Sequence, residues 1–555
     1  MALHLFKVQI HKVKKIMIYQ LQRDFNKSEH WCCALTKDRT MLFAINHNRE
    51  YFVLNKNDEK SKELLAKFVY ARNIFLSWDK KVNYWCRECF NIMPINMLLN
   101  VSAKRISYEL ACYRTGVSQV HVKDNEKNDC ALEAQNILHI YENFLYEKVY
   151  MLLSLSKEYK IDFTNTNVTS VIEKIPNLKT AYNKPTTKFF YQAPQHIQFD
   201  RPDLKKLYDD VINNEFVIVN GKITHPCLPR TLQFGDMTVT VGVGGLHGFC
   251  DRINGTTTKD AELNDWDFDC FYPSLICRER SLRYLFGDEF VTEYNKMREN
   301  RIKLKQTNPN LAKGYKEILN SATGKLNYQL SKLYNPQAYV QVTLTGQLWL
   351  LMIADTCVRH GIPVLSINTD GITVLDNVDA TERSENIIKR IEILTGMSFT
   401  KTGYCKYFGK NVNNYIAFKK DNSVKAVGDY RMKRDVDKNY NNLAVNKLVA
   451  KVLVNGGRPE HYLKDLEIQD FLNIACSKSA NEQIRFYKAK NCANIALRFS
   501  NGNSVPLSAG CAIMNDFEPV KTIVEKIDYD YYLDKAQQML DSIEPSIKRL
   551  FSDFW

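Results

Sequence analysis

The chain has 555 residues, too many for one hydrophobic core, so we expect two to four structural units. Hydrophobic residues make up 45% and charged residues 25% of the sequence, a balance that excludes a mainly disordered chain. The 76 Lys and Arg residues against 62 Asp and Glu give a net charge of +14, which suits a polyanionic partner, although many soluble proteins carry such a charge without one.

Membrane and secretory functions are not expected. The longest apolar candidate, LWLLMIA, ends at Asp355, and the N-terminal segment carries Lys and His too often for a signal-peptide core. Fifteen cysteines without a secretion signal indicate reduced thiols in a cytosol. Cys86 and Cys89 have zinc-like spacing, but no second pair follows at a suitable distance, so we expect no metal there.

Local patterns predict the elements in chain order. Residues 130–160 have apolar residues at helical spacing and predict a helix, whereas 184–202 contains three prolines and predicts an extended linker. Residues 238–249 alternate like a strand and include a glycine cluster, GGLHG. Residues after about 431 are expected to be mostly helical. Between 261 and 426 the patterns predict a strand at 262–271, helices at 286–306 and 311–330 joined by a tight turn, and a hairpin whose strands 363–367 and 372–375 flank Asn-Thr-Asp-Gly.

The strand at 262–271 carries three carboxylates at a period of two. Asp265, Asp267 and Asp269 therefore share one face, and the apolar residues between them face the core. Aligned carboxylates repel each other unless cations or water intervene, so the face is either a solvated edge or a Mg²⁺ site. We expect the strand to end at 271–274, where a proline breaks the ladder.

The hairpin turn at 368–371 projects a further carboxylate, Asp370, out of the sheet. Taken alone, Asp-Gly at a turn is ordinary turn chemistry. Its interest comes from Asp267, which precedes it by 103 residues. On adjacent strands these two carboxylates would share a pair of metal ions.

One face of the second predicted helix combines a cation, an amide, a hydroxyl and bare backbone, from Lys316, Asn320, Thr323 and Gly324. Arg301 and Lys305 on the preceding helix are also four residues apart. These groups suit a triphosphate and a base pair, and the alternative is a solvated basic helix face. Residues 401–440 carry ten Lys or Arg against four Asp or Glu, interleaved with aromatic residues. That pattern predicts either a nucleic-acid backbone track or a basic surface strand pair.

Together these patterns resemble the family B DNA polymerases. Residues 267–274 are similar to motif A (DxxSLYPS), 316–324 to motif B (KxxxNSxYG) and 367–371 to motif C (YxDTDS), in the family's order. Lys406-Tyr407 and Asn413-Asn414-Tyr415 resemble the KxY region that grips the primer. The glycine cluster and the segment TLTGQL also look like the bacteriophage branch. The resemblance covers roughly 240–430 and extends less firmly to the C-terminus.

The resemblance implies an α+β multidomain chain with a right-hand polymerase fold. The expected parts are an N-terminal domain like a degenerate 3′–5′ exonuclease (1–240), palm (241–285), fingers helical hairpin (286–335), palm (336–430) and thumb (431–555). It implies primed DNA and dNTPs as partners, with other replication proteins as candidates. It also implies a viral protein in the host cell cytoplasm.

The family's site residues carry over by motif. Asp267 and Asp370, with Phe268, would hold two Mg²⁺ ions, for which Mn²⁺ could substitute, and Lys316 would bind phosphates and neutralise the leaving pyrophosphate. Tyr272 would exclude a 2′-hydroxyl and favour dNTPs. The remaining expected contacts are substrate contacts by Asn320, Gly324, Arg301, Lys305 and Ser274, and DNA contacts by Lys406, Tyr407, Tyr415 and Thr369.

Several positions depart from the family pattern. Asn368 stands where motif C usually has its first Asp, so metal affinity would be lower. Thr323 replaces the motif B tyrosine, Gly371 replaces serine, and Asn413 replaces the KxY lysine. Asn368 keeps a catalytically weak or inactive DNA-binding paralogue open as an alternative. An RNA-synthesising or reverse-transcribing palm enzyme is disfavoured by Tyr272.

Proofreading and protein priming are not expected. We expect no Asp-x-Glu in the first 200 residues, although family members usually carry one near the start, and the segment resembling the third exonuclease helix has Leu145 where Tyr141-x3 should reach an Asp. Only 49 residues separate Asp267 from Lys316, which leaves no room for the long insertion of protein-primed members.

Overall fold

The computed structural model describes residues 30–35, 41–46, 48–55, 58, 74–77, 92–94, 107–123, 125–159, 168–173, 187–235, 237–250, 254–257, 261–421, 423–436 and 438–547. Cys86 and Cys89 lie outside this part of the chain. Within it, helices and strands are mixed, as the α+β prediction requires. No helix among the described residues is long and apolar enough to cross a membrane.

The strands follow the chain in this order: β1 (His30–Leu35), β2 (Met41–Asn46), β3 (Tyr51–Asn55), β4 (Ile74–Ser77), β5 (Ile92–Pro94), β6 (Lys188–Phe189), β7 (Phe216–Val219), β8 (Lys222–Thr224), β9 (Arg230–Phe234), β10 (Met237–Val241), β11 (His247–Cys250), β12 (Asn254–Thr256), β13 (Ala261–Phe268), β14 (Val364–Asn368), β15 (Gly371–Asn377), β16 (Phe399–Asn411), β17 (Asn414–Lys419), β18 (Val424–Val427), β19 (Leu472–Ser477), β20 (Glu482–Lys488) and β21 (Cys511–Ile513). The helices are α1 (Tyr108–Thr115), α2 (Glu126–Ile140), α3 (Tyr146–Tyr159), α4 (Pro202–Asn213), α5 (Phe271–Arg278), α6 (Arg280–Phe286), α7 (Asp288–Thr307), α8 (Pro309–Leu326), α9 (Pro336–Arg359), α10 (Ser384–Thr395), α11 (Leu443–Asn455) and α12 (Tyr529–Ile547).

The chain forms two compact units, each assembled from separate stretches of sequence. The first consists of Met1–Val168, Lys433–Ala444 and Asp465–Tyr532, and the second of Thr169–Met432, Val445–Lys464 and Leu533–Trp555. The five-part division into exonuclease-like, palm, fingers and thumb segments stays a prediction.

The first unit contains a mixed sheet in the order β3-β2-β1-β4-β5, against which α2 packs. β1 runs antiparallel to β2 and parallel to β4. The central strand has the sequence HWCCAL and carries no carboxylate. The predicted helix at 130–160 is confirmed as α2 and α3, which a π-helical turn at Tyr141–Leu145 joins.

The expectation that the first 200 residues hold no Asp-x-Glu is wrong, because residues 124–126 have this spacing. The Asn125 side chain accepts a hydrogen bond from the Asn128 N–H, so it caps α2 and places Glu126 in the first turn. Asp124 lies outside the described residues. The expected helical character after 431 is wrong in part, because β19, β20 and β21 form a sheet there. The apolar alternation of β20 could have predicted that strand.

A large sheet organises the second unit, in the order β18-β17-β16-β13-β15-β14-β11-β10-β9, with β12 paired to β16. β13 is central and antiparallel to both neighbours, β15 and β16. The buried helix α9 packs against β14 and β15 and against α5 and α10. The predicted strand at 262–271 is confirmed, but it ends at Phe268 instead of at the proline, and Pro273 lies in α5.

The predicted helical hairpin is confirmed as α7 and α8. Their connection is a single residue, Asn308, whose side chain accepts a hydrogen bond from the Leu311 N–H and caps α8, with Pro309 in the first turn. The Tyr294 hydroxyl on α7 donates to the Leu319 carbonyl on α8 at 2.6 Å, so a buried hydrogen bond joins the two helices.

Candidate active site

The two predicted metal-binding aspartates meet at neighbouring strand ends. Asp267 near the end of β13 pairs with Gly371 at the start of β15, and the Phe268 N–H donates to the Asp370 carbonyl at 2.8 Å. Asp370 is in the two-residue loop of the β14–β15 hairpin, whose last pair is Asn368 with Gly371. The sheet therefore brings together residues that are 103 positions apart in the sequence.

Both aspartates are next to backbone held in an uncommon conformation. Cys270, three residues after Asp267, has φ 54°, and Thr369, before Asp370, has φ 28°. Neither residue is glycine, so each position is disfavoured on its own and depends on the surrounding structure. Cys270 is the N-cap residue of α5, and Thr369 donates its N–H to the Leu246 carbonyl at 2.9 Å.

Gly371 explains one departure from the family pattern. A Cβ atom at this position would overlap an Asp267 carboxylate oxygen and come within 3.1 Å of the Trp266 carbonyl oxygen. A serine side chain, which the family has here, would not fit in this arrangement. The missing side chain is thus what lets the Asp267 carboxylate lie against β15.

The electrostatic environment raises the pKa of both aspartates. Burial is the main cause for Asp267, whose pKa rises to about 6, and the charges of Asp265 and Asp370 add to it. The pKa of Asp370 rises chiefly through loss of hydration, although this residue at the hairpin tip retains contact with solvent. Lys316 lowers both pKa values, so its ammonium acts on both carboxylates.

Asp265, on the same strand face, has a different environment. It is buried and accepts hydrogen bonds from Thr373 Oγ1 and the Tyr404 hydroxyl, each at 2.9 Å, and its other neighbour is the Lys425 ammonium at 3.2 Å. Asp265 raises the pKa of Lys425 against the opposing effect of burial. Three donors therefore occupy this carboxylate, so Asp265 is a structural ion-pair partner.

The opposite face of β13 is held by a second buried network. Asn264 Nδ2 donates to Asp376 at 2.7 Å, and the Trp266 indole N–H donates to Ser384 Oγ at 2.9 Å. The Ser384 N–H and hydroxyl in turn donate to Asp376, at 2.7 and 2.5 Å. Networks on both faces thus fix the register of the strand that carries Asp267.

The turn after β13 positions aromatic side chains around the acids. Burial raises the pKa of Tyr272, with smaller contributions from Tyr339 and from the negative charge of Asp370, so the phenol lies within electrostatic reach of that carboxylate. The Phe268 side chain is buried between Phe271 and Phe399, which leaves its backbone carbonyl as its possible metal ligand.

We expected Ser274 to contact the substrate, but its side chain is inaccessible to solvent. It is 1% exposed, and its hydroxyl donates to the Asp269 carbonyl at 3.2 Å, which stabilises the first turn of α5. The side chain therefore does not face a ligand surface.

The basic residues of α7 lie at the same turn. Arg301 is 8% exposed and its guanidinium contacts Cys270 Sγ, while the Lys305 ammonium lies 2.5 Å from an Asp269 carboxylate oxygen. Both cations therefore already contact residues of the motif A turn. To bind phosphate as predicted, each cation would have to break its present contact or bind the phosphate in addition to it.

The α8 face matches the prediction at three of its four positions. Lys316, Asn320 and Gly324 are exposed at a spacing of four residues, and a Cβ atom at Gly324 would meet nothing within 4 Å. Thr323 lies on the same helical face by spacing, but it is buried at 6% exposure, so its hydroxyl does not add to the exposed surface. The exposed face of α8 therefore presents the Lys316 ammonium, the Asn320 amide and the accessible backbone of Gly324.

The predicted aromatic track in 401–440 does not lie on the surface. Tyr407 and Tyr415 are buried and stack on each other with ring centroids 5.0 Å apart, and Lys406 donates to the Leu453 carbonyl at 2.9 Å. The two rings are enclosed in the fold, so they are not available to stack on bases. Thr369, in contrast, lies at the hairpin tip, with its hydroxyl 3.3 Å from His247 Nε2.

Sequence reasoning missed the residues that support the site. Gln347 on α9 donates to the Gly242 and Gly244 carbonyls, both at 2.8 Å, and Thr343 donates to the Val243 carbonyl at 2.9 Å. The segment TLTGQL thus anchors the loop that precedes His247. Buried polar residues on an apolar helix were the available signal, but their partners could not be read from the sequence. Lys425 carried no signal beyond its charge.

The donor set suits a hard divalent cation. Asp267 and Asp370 offer carboxylate oxygens in a partly desolvated pair with raised pKa values, an arrangement that a bound cation would relieve. Within the described residues, no group of three or more His, Cys, Asp or Glu side chains has the arrangement of a metal site. Phosphate oxygens of a substrate and water would therefore have to complete the coordination.

Comparisons with known proteins find similarity among solved structures. No protein-family model matches the sequence, and no curated protein is detectably similar to it. Among solved structures, the chain is similar to the family B DNA polymerase from the hyperthermophilic archaeon Pyrobaculum calidifontis, with a TM-score of 0.42 and 10% sequence identity over 94% of this chain and 78% of that one. A likeness at this level does not establish a shared function.

Proposed function

We propose that the protein is a template-directed DNA polymerase that extends a primer 3′ end with dNTPs. The observation that carries the proposal is the meeting of Asp267 and Asp370 at adjacent ends of β13 and β15, with Lys316 acting on both. A carboxylate pair with a neighbouring cation is the minimal equipment for two-metal phosphoryl transfer. The order of the three motifs supports DNA synthesis over other phosphoryl transfers.

The chain's own residues have distinct roles in this proposal. Asp267 and Asp370, with the Phe268 carbonyl, would hold Mg²⁺ or Mn²⁺, which would activate the primer hydroxyl and stabilise charge on the phosphates. Lys316 would bind the incoming phosphates and neutralise the departing pyrophosphate. Asn320 and Gly324 would border the nascent base pair, and the Tyr272 ring would exclude a ribose 2′-hydroxyl.

Proofreading is not part of the proposed function. The central strand β1 has no carboxylate, Leu145 is buried at 2% exposure in the π-helical turn, and Glu126 lies in a helix start. Of these described positions, only Glu126 carries a carboxylate. We further propose a viral, bacteriophage-type protein that acts in the cytoplasm of its host.

Primer extension tests the proposal directly. The wild-type protein with Mg²⁺ should incorporate dNTPs on a primed template, while Asp267→Ala and Asp370→Ala should each abolish incorporation and retain DNA binding, measured by fluorescence anisotropy. Asp379→Asn is a matched control, because this acid is exposed on the loop after β15. Normal incorporation by either alanine variant would refute the assignment.

The same assay separates the alternatives. A wild-type protein that binds primed DNA but incorporates no nucleotide with Mg²⁺ or Mn²⁺ would be the non-catalytic paralogue, for which Asn368 in motif C is the favouring feature. Equal use of NTPs and dNTPs would contradict the role of Tyr272. Degradation of single-stranded DNA from its 3′ end would contradict the absence of proofreading.

A further inference from the structure

An ion pair joins the helical hairpin to the motif A turn. The Lys305 ammonium on α7 lies 2.5 Å from Asp269 Oδ1, with the two side chains 41% and 22% exposed. The carboxylate itself is fixed to the sheet, because Thr400 Oγ1 donates to the same oxygen at 3.0 Å and the Asp269 N–H donates to the Ser398 carbonyl at 2.8 Å. The lysine is thus the movable partner.

Asp269 is an acid within a basic cluster. Arg298 and Arg301 belong to the same helix as Lys305 and are 9% and 8% exposed. All three cations and Asp269 act on the pKa of the buried Cys270 thiol, the cations lowering it and the carboxylate raising it, so the four charges share one neighbourhood. Three cations against one carboxylate leave a positive surplus, which is what a polyphosphate requires.

We propose that Asp269 is a positioning residue that holds the Lys305 ammonium in the empty nucleotide site and yields it to the incoming triphosphate. The inference rests on the proposed polymerase function and identifies a competing anion within its substrate site. A triphosphate brings several charges where Asp269 brings one, so it displaces the carboxylate from Lys305. The exchange lowers the affinity for every nucleotide, because the protein must first give up its own ion pair.

Nucleotide titrations in primer extension test the exchange. Asp269→Asn keeps an acceptor for the Thr400 hydroxyl and removes the charge, so KM for dNTP should fall about threefold, as expected for a partly exposed ion pair, while kcat changes less. Lys305→Gln should raise KM. In the double variant the KM should equal that of Lys305→Gln, because Asp269 acts through Lys305.

Glu293→Gln provides the matched control. Glu293 pairs with Lys296 on the same helix, also at 2.5 Å, and the KM of this variant should equal that of the wild type. An unchanged or higher KM in Asp269→Asn would overturn the proposal. So would the same threefold fall in the Lys305→Gln background, because the acid would then act by plain repulsion.

The test distinguishes failure of this inference from failure of the proposed function. A wild-type protein that incorporates no dNTP refutes the polymerase assignment itself, whereas an active wild type with an unaltered Asp269→Asn KM refutes the exchange alone. Thermal unfolding checks that each variant is folded. If Asp269→Asn is not folded, Asp269→Ser replaces it, since serine also keeps a polar acceptor before α5, and the same fall in KM is expected.

Discussion

Asp265 and Asp267 lie two residues apart on one strand face, yet they occupy opposite environments. Asp265 is enclosed by Thr373, Tyr404 and Lys425, so its charge is matched inside the protein. Asp267 faces Asp265 and Asp370 instead, and its pKa rises to about 6. Asp265 has its counter-charge in direct contact, so we call it matched. The pair of Asp267 and Asp370 keeps raised pKa values despite the Lys316 and Lys425 ammonium groups, so we call it unmatched, and an added cation would relieve it.

The difference shows how a site can be recognised without a bound ligand. A strand that carried only matched carboxylates would have a structural role. An unmatched pair destabilises the empty protein, so its presence suggests that binding of a partner offsets the cost. The neighbouring ion pair of Asp265 with Lys425 also fixes the backbone of β13, so it supports the geometry of the unmatched pair.

The first prediction removes the space that the unmatched carboxylate occupies. In Gly371→Ala the new methyl group overlaps the Asp267 carboxylate and crowds the Trp266 carbonyl, so the acid must move. A shift of about 1 Å at a reacting group can cost about 100-fold in rate, and we expect a loss of that order in single-turnover dNTP incorporation. Gly242→Ala is the control, because a Cβ there meets nothing within 4 Å. Wild-type rates in Gly371→Ala would show that the geometry at β15 does not matter.

Much of this region could be predicted from sequence, because its signals are local. Period two placed Asp265 and Asp267 on one face, and the Asn-Thr-Asp-Gly turn gave the hairpin that carries Asp370. Local sequence patterns do not show which carboxylate has a counter-charge in contact with it. Lys425 lies 160 positions after Asp265, and its position follows only from the pairing of β16, β17 and β18.

The same limit explains the aromatic residues of 401–440. Interleaving with lysine is compatible with either a surface track or an amphipathic strand, and only the partner face decides. Tyr404 and Tyr407 are buried. The Tyr404 hydroxyl donates to Asp265 on β13 and the Tyr407 ring stacks on Tyr415 of β17, which are contacts between strands that the local sequence does not show. The prediction of helices after 431 failed at the sheet after 472 for a related reason. Its strands are short, so their formation depends on pairing with one another, which the local sequence does not show.

The second prediction concerns the ion pair of Asp265 with Lys425. Asp265→Asn leaves the Lys425 ammonium beside a neutral amide, and Tyr404 and Thr373 lose a charged acceptor. We expect the free energy of unfolding to fall by about 2 kcal/mol, less than for a fully buried pair because Lys425 is partly exposed. Urea unfolding monitored by circular dichroism measures it. Glu385→Gln, which removes the exposed ion pairs with Lys389 and Lys401, should change stability by less than about 0.5 kcal/mol. Equal effects of the two substitutions would contradict the distinction.

The third prediction concerns Asp267 and the pH dependence of the free energy of unfolding. The pKa of Asp267 in the folded protein, about 6, exceeds its ordinary value of 3.8, so the folded state binds more protons between these values and the free energy of unfolding falls as pH rises from about 4 to 6. Asp267→Asn cannot ionise. Above pH 6 it should therefore be more stable than the wild type by about 1 kcal/mol, a figure reduced for partial solvent access, and this difference should vanish below about pH 4.

Divalent cations should act in the opposite direction at the same residue. Mg²⁺ bound by the folded state alone raises the stability of the wild type in proportion to the logarithm of its concentration above Kd, and Asp267→Asn should lose most of that rise. Asp379→Asn, with its exposed side chain, serves as the control in both series. A stability difference between wild type and Asp267→Asn that is independent of both pH and Mg²⁺ would mean that Asp267 is matched after all. The contrast with Asp265 would then disappear, because both acids would be structural.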